Sequence, residues 1–472
     1  MKKIFLILLL PFLLFSCSQD IMDEVNKNQN NAEYMDAKNL LPDLLLKSGF
    51  ETTGTDIAWY ASVYIEHNAG TWNQSYQADH RVAQDNSSLM NNSWNSLYDV
   101  MNIAQTIINK TDPENGDEKD NYYARAIAQI MMAYNLAVAT DCWGEVPYTE
   151  ACKGLDNLKP AYDKQSELYP KIQQLLTEGI ENMERATTTY TDKDYIYKSA
   201  ADNKAAWIKA AYSLKARYAL RLTNVDNNAA TEALGFIAKG FESSGDNMLL
   251  DGFVIDLPGA NPWGEFWYMR DHLSVSTTIF NLMTERSDTN RMARYFSSTD
   301  PTMIAPIGEA KQTQDPKVYA RSQFTCSWMA FQYPILMCTY HELKFIEAEA
   351  LFRTGGDYKP ALQEAIRAAF ALVGADGADD YYTNQVEPRL TPDNELKEII
   401  TQKYIAFYDR EATETYNDYR RTGFPEMKNP HNATIGFINR FPWALGEITT
   451  NSQNVPTEKG IFDKVWWAGG TE

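Results

Sequence analysis

The chain has 472 residues, 44% of them hydrophobic, and a formal net charge of −20. That acidic balance repels phosphate backbones and excludes a nucleic-acid partner, and five cysteines in this length are too sparse for a disulfide scaffold. The length supplies one large or two ordinary domains with ample core.

The chain opens with Lys2 and Lys3, followed by an apolar run from Ile4 to Phe15. A basic start and a short apolar stretch are the marks of a secretory signal. The run is too short to cross a bilayer, which takes about 17 to 25 apolar residues. Cys17 follows in "LFSC", which resembles a bacterial lipobox with leucine three before the cysteine and serine one before. We therefore expect a signal peptide over 1–16 and lipid on Cys17, with export as an unlipidated protein the alternative. Each buried methylene of such a lipid contributes about 0.8 kcal/mol, and more than one acyl chain makes anchoring stable. Residues 17–38 are polar, acidic and rich in asparagine, the composition of a flexible tether. No later stretch is long and apolar enough to span a bilayer, so the body of the protein is expected outside the membrane.

Helical periodicity dominates from there. Trp94, Tyr98, Met101 and Gln105 or Ile108 share one helix face. Ile127, Met131, Tyr134 and Val138 recur at helical spacing, and apolar residues on the other faces predict a buried helix. A further helix opens after Pro160 and ends near Met183, and Trp207, Ala211, Leu214 and Tyr218 form the stripe of the next. Residues 240–335 lose the periodicity and read as loops and short strands. Two helices joined by Gly355, Gly356 and Asp357 follow, and the "GDYKPAL" there resembles the middle of a tetratricopeptide repeat. Leu396, Ile400, Tyr404 and Phe407 mark another helix, and the last 50 residues are again loop-rich. The expected architecture is mostly α. It is a single domain over 39–472, a scaffold of helical hairpins with a loop-rich insert at about 240–335.

The motifs of catalysis are missing. "HELKFIEAEA" lacks the second histidine of a zinc protease, since position 345 is Phe. Asp141 and Glu145 are four apart, but Gly144 and Pro147 make that stretch a turn, which Asp141 is expected to pin through backbone N–H groups. Gly144 is expected either to hold a backbone conformation open mainly to glycine or to sit too close to a neighbour for a side chain. There is no phosphate-binding loop, dinucleotide fingerprint or nucleophile elbow. No enzyme activity, cofactor or metal is expected. Cys142 and Cys152 flank a short loop, where they either pair or remain thiols.

What remains is binding. "HNAGTWNQSYQADHR" sets Trp72 beside Asn73 and Gln74, and "NPWGEFWYMRDH" holds Trp263, Trp267, Tyr268 and Asp271. Ring faces can lie against the C–H faces of a sugar, and neighbouring amides and carboxylates can meet its hydroxyls. These seven residues are the candidate ligand site. The competing reading is that the rings anchor loops to the core. "SWMAFQYP" around Trp328 is the next candidate.

The stretch "TDCWGEVPYTEA" resembles the Asp-x-Trp-Gly-(Asp/Glu)-(Val/Ile)-Pro-Tyr signature of the SusD/RagB family of outer-membrane nutrient-binding lipoproteins. Asp141, Trp143, Gly144, Glu145, Val146, Pro147 and Tyr148 match it. "PAYDKQSELYPKIQQLL", "NKAAWIKAAYSLKARYALRL", "ELKFIEAEALFRTGG", "NDYRRTGFP" and "FINRFPWALGE" resemble later family segments in the same order. The resemblance implies four tetratricopeptide-like hairpins with a loop-rich partner region. It implies a non-enzyme that caps a SusC-like TonB-dependent outer-membrane transporter and hands it glycans or other nutrients. It also implies structural roles for Trp143 and Tyr148. Ligand residues vary within the family, so none is carried over. Two other readings stay open: the same fold binding peptides or another non-sugar nutrient, and a helical-repeat adaptor between proteins.

Overall fold

The computed structural model describes residues 35–257 and 259–472. The expected signal peptide, Cys17 and the tether as far as residue 34 lie outside the described residues. The helices used below are α1 (Ala37–Lys47), α2 (Asp56–Tyr64), α3 (Asn73–Asp79), α4 (Asn91–Lys110), α5 (Tyr122–Trp143), α6 (Gln165–Arg185), α7 (Asn203–Arg221) and α8 (Ala229–Ile237). After these come α9 (Pro262–Arg270), α10 (Thr277–Glu285), α11 (Thr289–Tyr295), α12 (Tyr340–Thr354), α13 (Lys359–Leu372), α14 (Glu395–Ala406) and α15 (Ala412–Thr422). Helix packs on following helix: α4 on α5, α5 on α6, α6 on α7, α7 on α8 and α12 on α13. These are the helical hairpins expected from the sequence.

Local chemistry sets many of the helix ends. Asn121 caps α5 by accepting from the Ala124 N–H, and Asp202 caps α7 by accepting from the Ala205 N–H. Helix α12 stops at Gly355, whose φ of 79° is left-handed, and the Gly356 N–H then bonds back to the Leu351 carbonyl at 2.8 Å. Apart from Tyr122 and Arg125, every residue of α5 is buried. That matches its apolar character on all faces, and α5 runs through the middle of the helical layers.

Two antiparallel pairs supply the sheet among the described residues. β1 (Asn68–Gly70) pairs with β3 (Leu273–Val275), and β2 (Met248–Leu250) pairs with β4 (Ile335–Cys338). The insert differs from its expected loops and short strands, because it also carries α9, α10 and α11. Asn261 and Pro262 were a readable start for α9: Asn261 accepts from the Trp263 N–H at 2.8 Å and Pro262 takes the first turn. No apolar stripe betrayed the helix, since its aromatic residues pack to two different sides.

The family signature ends α5. Trp143 is fully buried, and its indole N–H donates to the Pro442 carbonyl at 2.9 Å. Asp141 does not pin its own turn. Its carboxylate accepts from Tyr169 on α6 at 2.5 Å and from Asn417 on α15 at 3.2 Å, and it pairs with Arg221 on α7 at 3.5 Å. A buried carboxylate needs such partners, and here the partners come from three helices. Cys142, Cys152, Cys326 and Cys338 are free thiols. His341 is buried and bonded to Glu411 at 2.7 Å, and no group of residues fit to hold a metal occurs among the described residues.

Candidate ligand-binding face

Helix α9 organises the site. It ends at Asp271, which adopts a left-handed φ of 45°. Arg321 fixes that carboxylate from two points, Nε to Oδ1 at 2.7 Å and Nη2 to Oδ2 at 3.1 Å. The chain then enters β3, whose pairing with β1 continues into a bond from the Thr71 N–H to the His272 carbonyl at 2.9 Å. Trp72 and Asp271 are the next residues on either side. The two aromatic segments noted in the sequence are therefore held together at one end.

One side of α9 carries an aromatic platform. Trp328 stacks over the buried Phe331, with ring centres 5.4 Å apart and planes at 22°. Trp267 meets Trp328 edge-on at 5.7 Å, and the Tyr268 ring lies 5.4 Å from it. Trp328 is 57% exposed and Tyr268 54%, with Met329 exposed next to Trp328 in the chain. Edge-to-face and offset contacts hold these rings in place. Their open faces can receive a flat C–H surface without first having to order.

The other side of α9 faces a cleft of about 750 Å³ shared with α2. Its wall is Trp59 stacked on Phe266, 4.1 Å between ring centres. Asp56, Tyr60, Gln74 and Arg270 also line it. Burial pushes the Asp56 carboxyl up to about 6, against the pull of Arg270. Trp263 stands behind this wall, buried and edge-on to Trp59 at 6.4 Å.

The seven sequence candidates thus fall in different places. Tyr268 and the half-buried Trp267 stand on the platform, and Gln74 lines the cleft. Trp72 and Asn73 are exposed outside the cleft, Asn73 at a left-handed φ of 42°. Trp263 is core, and Asp271 is engaged by Arg321. Sequence reasoning missed Asp56, Trp59, Tyr60 and Phe266. The first three sit in α2, most of whose residues are buried, and an acidic residue one turn before Trp59 and Tyr60 is the one local sign of a cleft there.

The family model described as starch-binding, associating with the outer membrane, matches residues 29–441. The chain belongs to the SusD/RagB family. As a SusD-like protein it is a non-catalytic, carbohydrate-associated protein of the outer membrane. A crystal structure of a SusD/RagB protein from Bacteroides thetaiotaomicron superposes with a TM-score of 0.84 at 30% identity, covering 93% of this chain and 100% of its own. A chitin-binding SusD homologue from Flavobacterium johnsoniae shares the fold at 20% identity and a TM-score of 0.75, covering 92% and 99%. A SusD homologue from Bacteroides uniformis does so at 21% and 0.73, covering 92% and 99%. No curated protein matches the sequence. The SusD signature from Asp141 to Tyr148 lies in the scaffold, away from the platform and the cleft.

Proposed function

We propose that this SusD-like protein captures oligosaccharides on the platform of Trp267, Tyr268 and Trp328 and passes them to a SusC-like TonB-dependent transporter, with lipid on Cys17 tethering it to the outer membrane through the segment 17–38. The observation that carries the glycan reading is the pair of rings more than half exposed at Tyr268 and Trp328, braced by buried Phe331. Rings held open to solvent forgo the stabilisation of burial, while their faces suit sugar stacking. Gln74 at the cleft and Gln332 beside the platform are on hand for hydroxyls. Charged groups in the neighbouring cleft favour a second reading, in which the ligand is a peptide.

Calorimetry against a panel of polysaccharides and peptides tests this. Binding to a glycan that is lost in Trp328→Ala supports the proposal. Binding to peptides alone replaces it with the second reading. Co-purification of a large β-barrel with the tagged protein from its native membrane tests the transporter partnership, and its absence under mild detergent counts against it.

A further inference from the structure

We propose that the cleft between α2 and α9 receives a protonated amino group carried by the saccharide, with Asp56 as its counter-ion. The inference rests on the glycan reading and names the class of glycan.

Several buried acids among the described residues are matched. Glu398 pairs with Arg286 at 2.7 Å, Asp418 with Lys403 at 2.7 Å, and Glu342 and Glu349 with Arg217 and Arg421. Asp56 is not. Its carboxylate accepts no hydrogen bond and joins no ion pair among the described residues. It sits in the first turn of α2, where the helix dipole favours its charge, yet burial outweighs the pull of Arg270. A half-buried carboxylate that feels Arg270 but forms no ion pair or hydrogen bond with it costs the fold stability, and a ligand cation would supply a direct partner. Tyr60, on the same face one turn later, is 5% exposed, and its hydroxyl has no partner among the described residues although the ring lines the cleft. Trp59 and Phe266 add ring faces, which attract cations. Glu265 stands on the same wall, so two acids face one arginine. That excess selects a cation over a zwitterion or an anion. Gln74 and Asn92 offer neutral partners for the hydroxyls of the same sugar. The platform on the opposite side of α9 is uncharged, so a chain lying across both would be gripped by stacking at one end and by charge at the other.

The test is calorimetry with glucosamine hexamers bearing free amines, their N-acetylated counterparts and glucose hexamers, slightly above the pH of about 6 at which Asp56 ionises. The free-amine hexamer should bind at least about tenfold more tightly than the others, the size of one charge-assisted hydrogen bond. Asp56→Asn should abolish that preference without lowering the melting temperature, and added salt should weaken the preference in the unaltered protein. Equal binding of the three hexamers, or a preference that survives Asp56→Asn, overturns the amine site while leaving the glycan reading in place. Binding of none of the hexamers, with capture of a lysine-bearing peptide instead, overturns both.

Discussion

The Arg440 guanidinium clasps both sides of Gly144: Nη1 donates to the Trp143 carbonyl at 3.1 Å and to the Glu145 carboxylate at 3.3 Å. Its Nε and Nη2 bond the Asp463 and Lys464 carbonyls, at 3.2 and 3.1 Å. One side chain from the C-terminal region thus ties the end of α5 to the final loops. The family signature is a scaffold joint, which is why it says little about ligand.

Gly144 should resist replacement. Its φ of 85° belongs to glycine, and an added Cβ would stand 3.3 Å from two Arg440 nitrogens. Gly144→Val is expected to cost about 1–3 kcal/mol. Arg440→Met should cost more, about 3–5 kcal/mol, because it strands Glu145 in a buried place. Chemical denaturation of both variants measures this, and a midpoint unchanged from the parent would show the joint to be dispensable.

Platform and core rings should separate cleanly. Trp263→Ala is expected to lose about 3–5 kcal/mol of stability, since that indole is buried. Trp328→Ala should leave the melt nearly intact and weaken glycan binding at least about tenfold, in line with 1–3 kcal/mol for a stacked ring. Trp267→Ala, half-buried and edge-on to Trp328, should lower both. The reverse pattern at Trp263 and Trp328 would move the site away from α9.

Asp79 gives a pH dependence with a definite sign. It is fully buried, its Oδ2 accepts from the Gly308 N–H at 2.8 Å, and its Oδ1 has no partner. Burial pushes its carboxyl from 3.8 up to about 7, although Arg81 pulls the other way. The folded state therefore holds this proton more tightly than the unfolded one, and the Asp79 contribution falls as pH rises from about 4 to about 7. Asp79→Asn should gain stability relative to the parent across that window, with a constant advantage above it. A difference between the two that does not change with pH would show that Asp79 stays ionised in the fold.

The anchor is tested at the N-terminus. Cys17→Ala should abolish labelling by a fatty-acid analogue and leave the protein unprocessed or released from the membrane. Mass spectrometry of the wild-type N-terminus should find a lipidated residue 17, and an unmodified start downstream of it would remove the tether from the proposal.

Much of this architecture was legible because its causes are local. The stripes of α4 and α7, the all-round apolar face of α5, the Gly355 stop and the conformation of Gly144 depend on residues a few positions apart. The order of helices, the hairpins and the family signature follow from such patterns. The site did not follow in the same way. Trp263 and Tyr268 sit five positions apart in one aromatic segment, yet one is core and the other more than half exposed. That difference comes from Trp59 on one side of α9 and Trp328 on the other, supplied by distant parts of the chain. Asp141 was read as a turn residue because its partners on α6, α7 and α15 cannot be seen from its neighbours. Sequence alone determined the scaffold helices outside the insert and to which family the chain belongs, since periodicity and caps act over a turn or two. Tertiary structure decided which rings face solvent and which acid stands unpaired, because burial and ion pairing are properties of what packs against a residue.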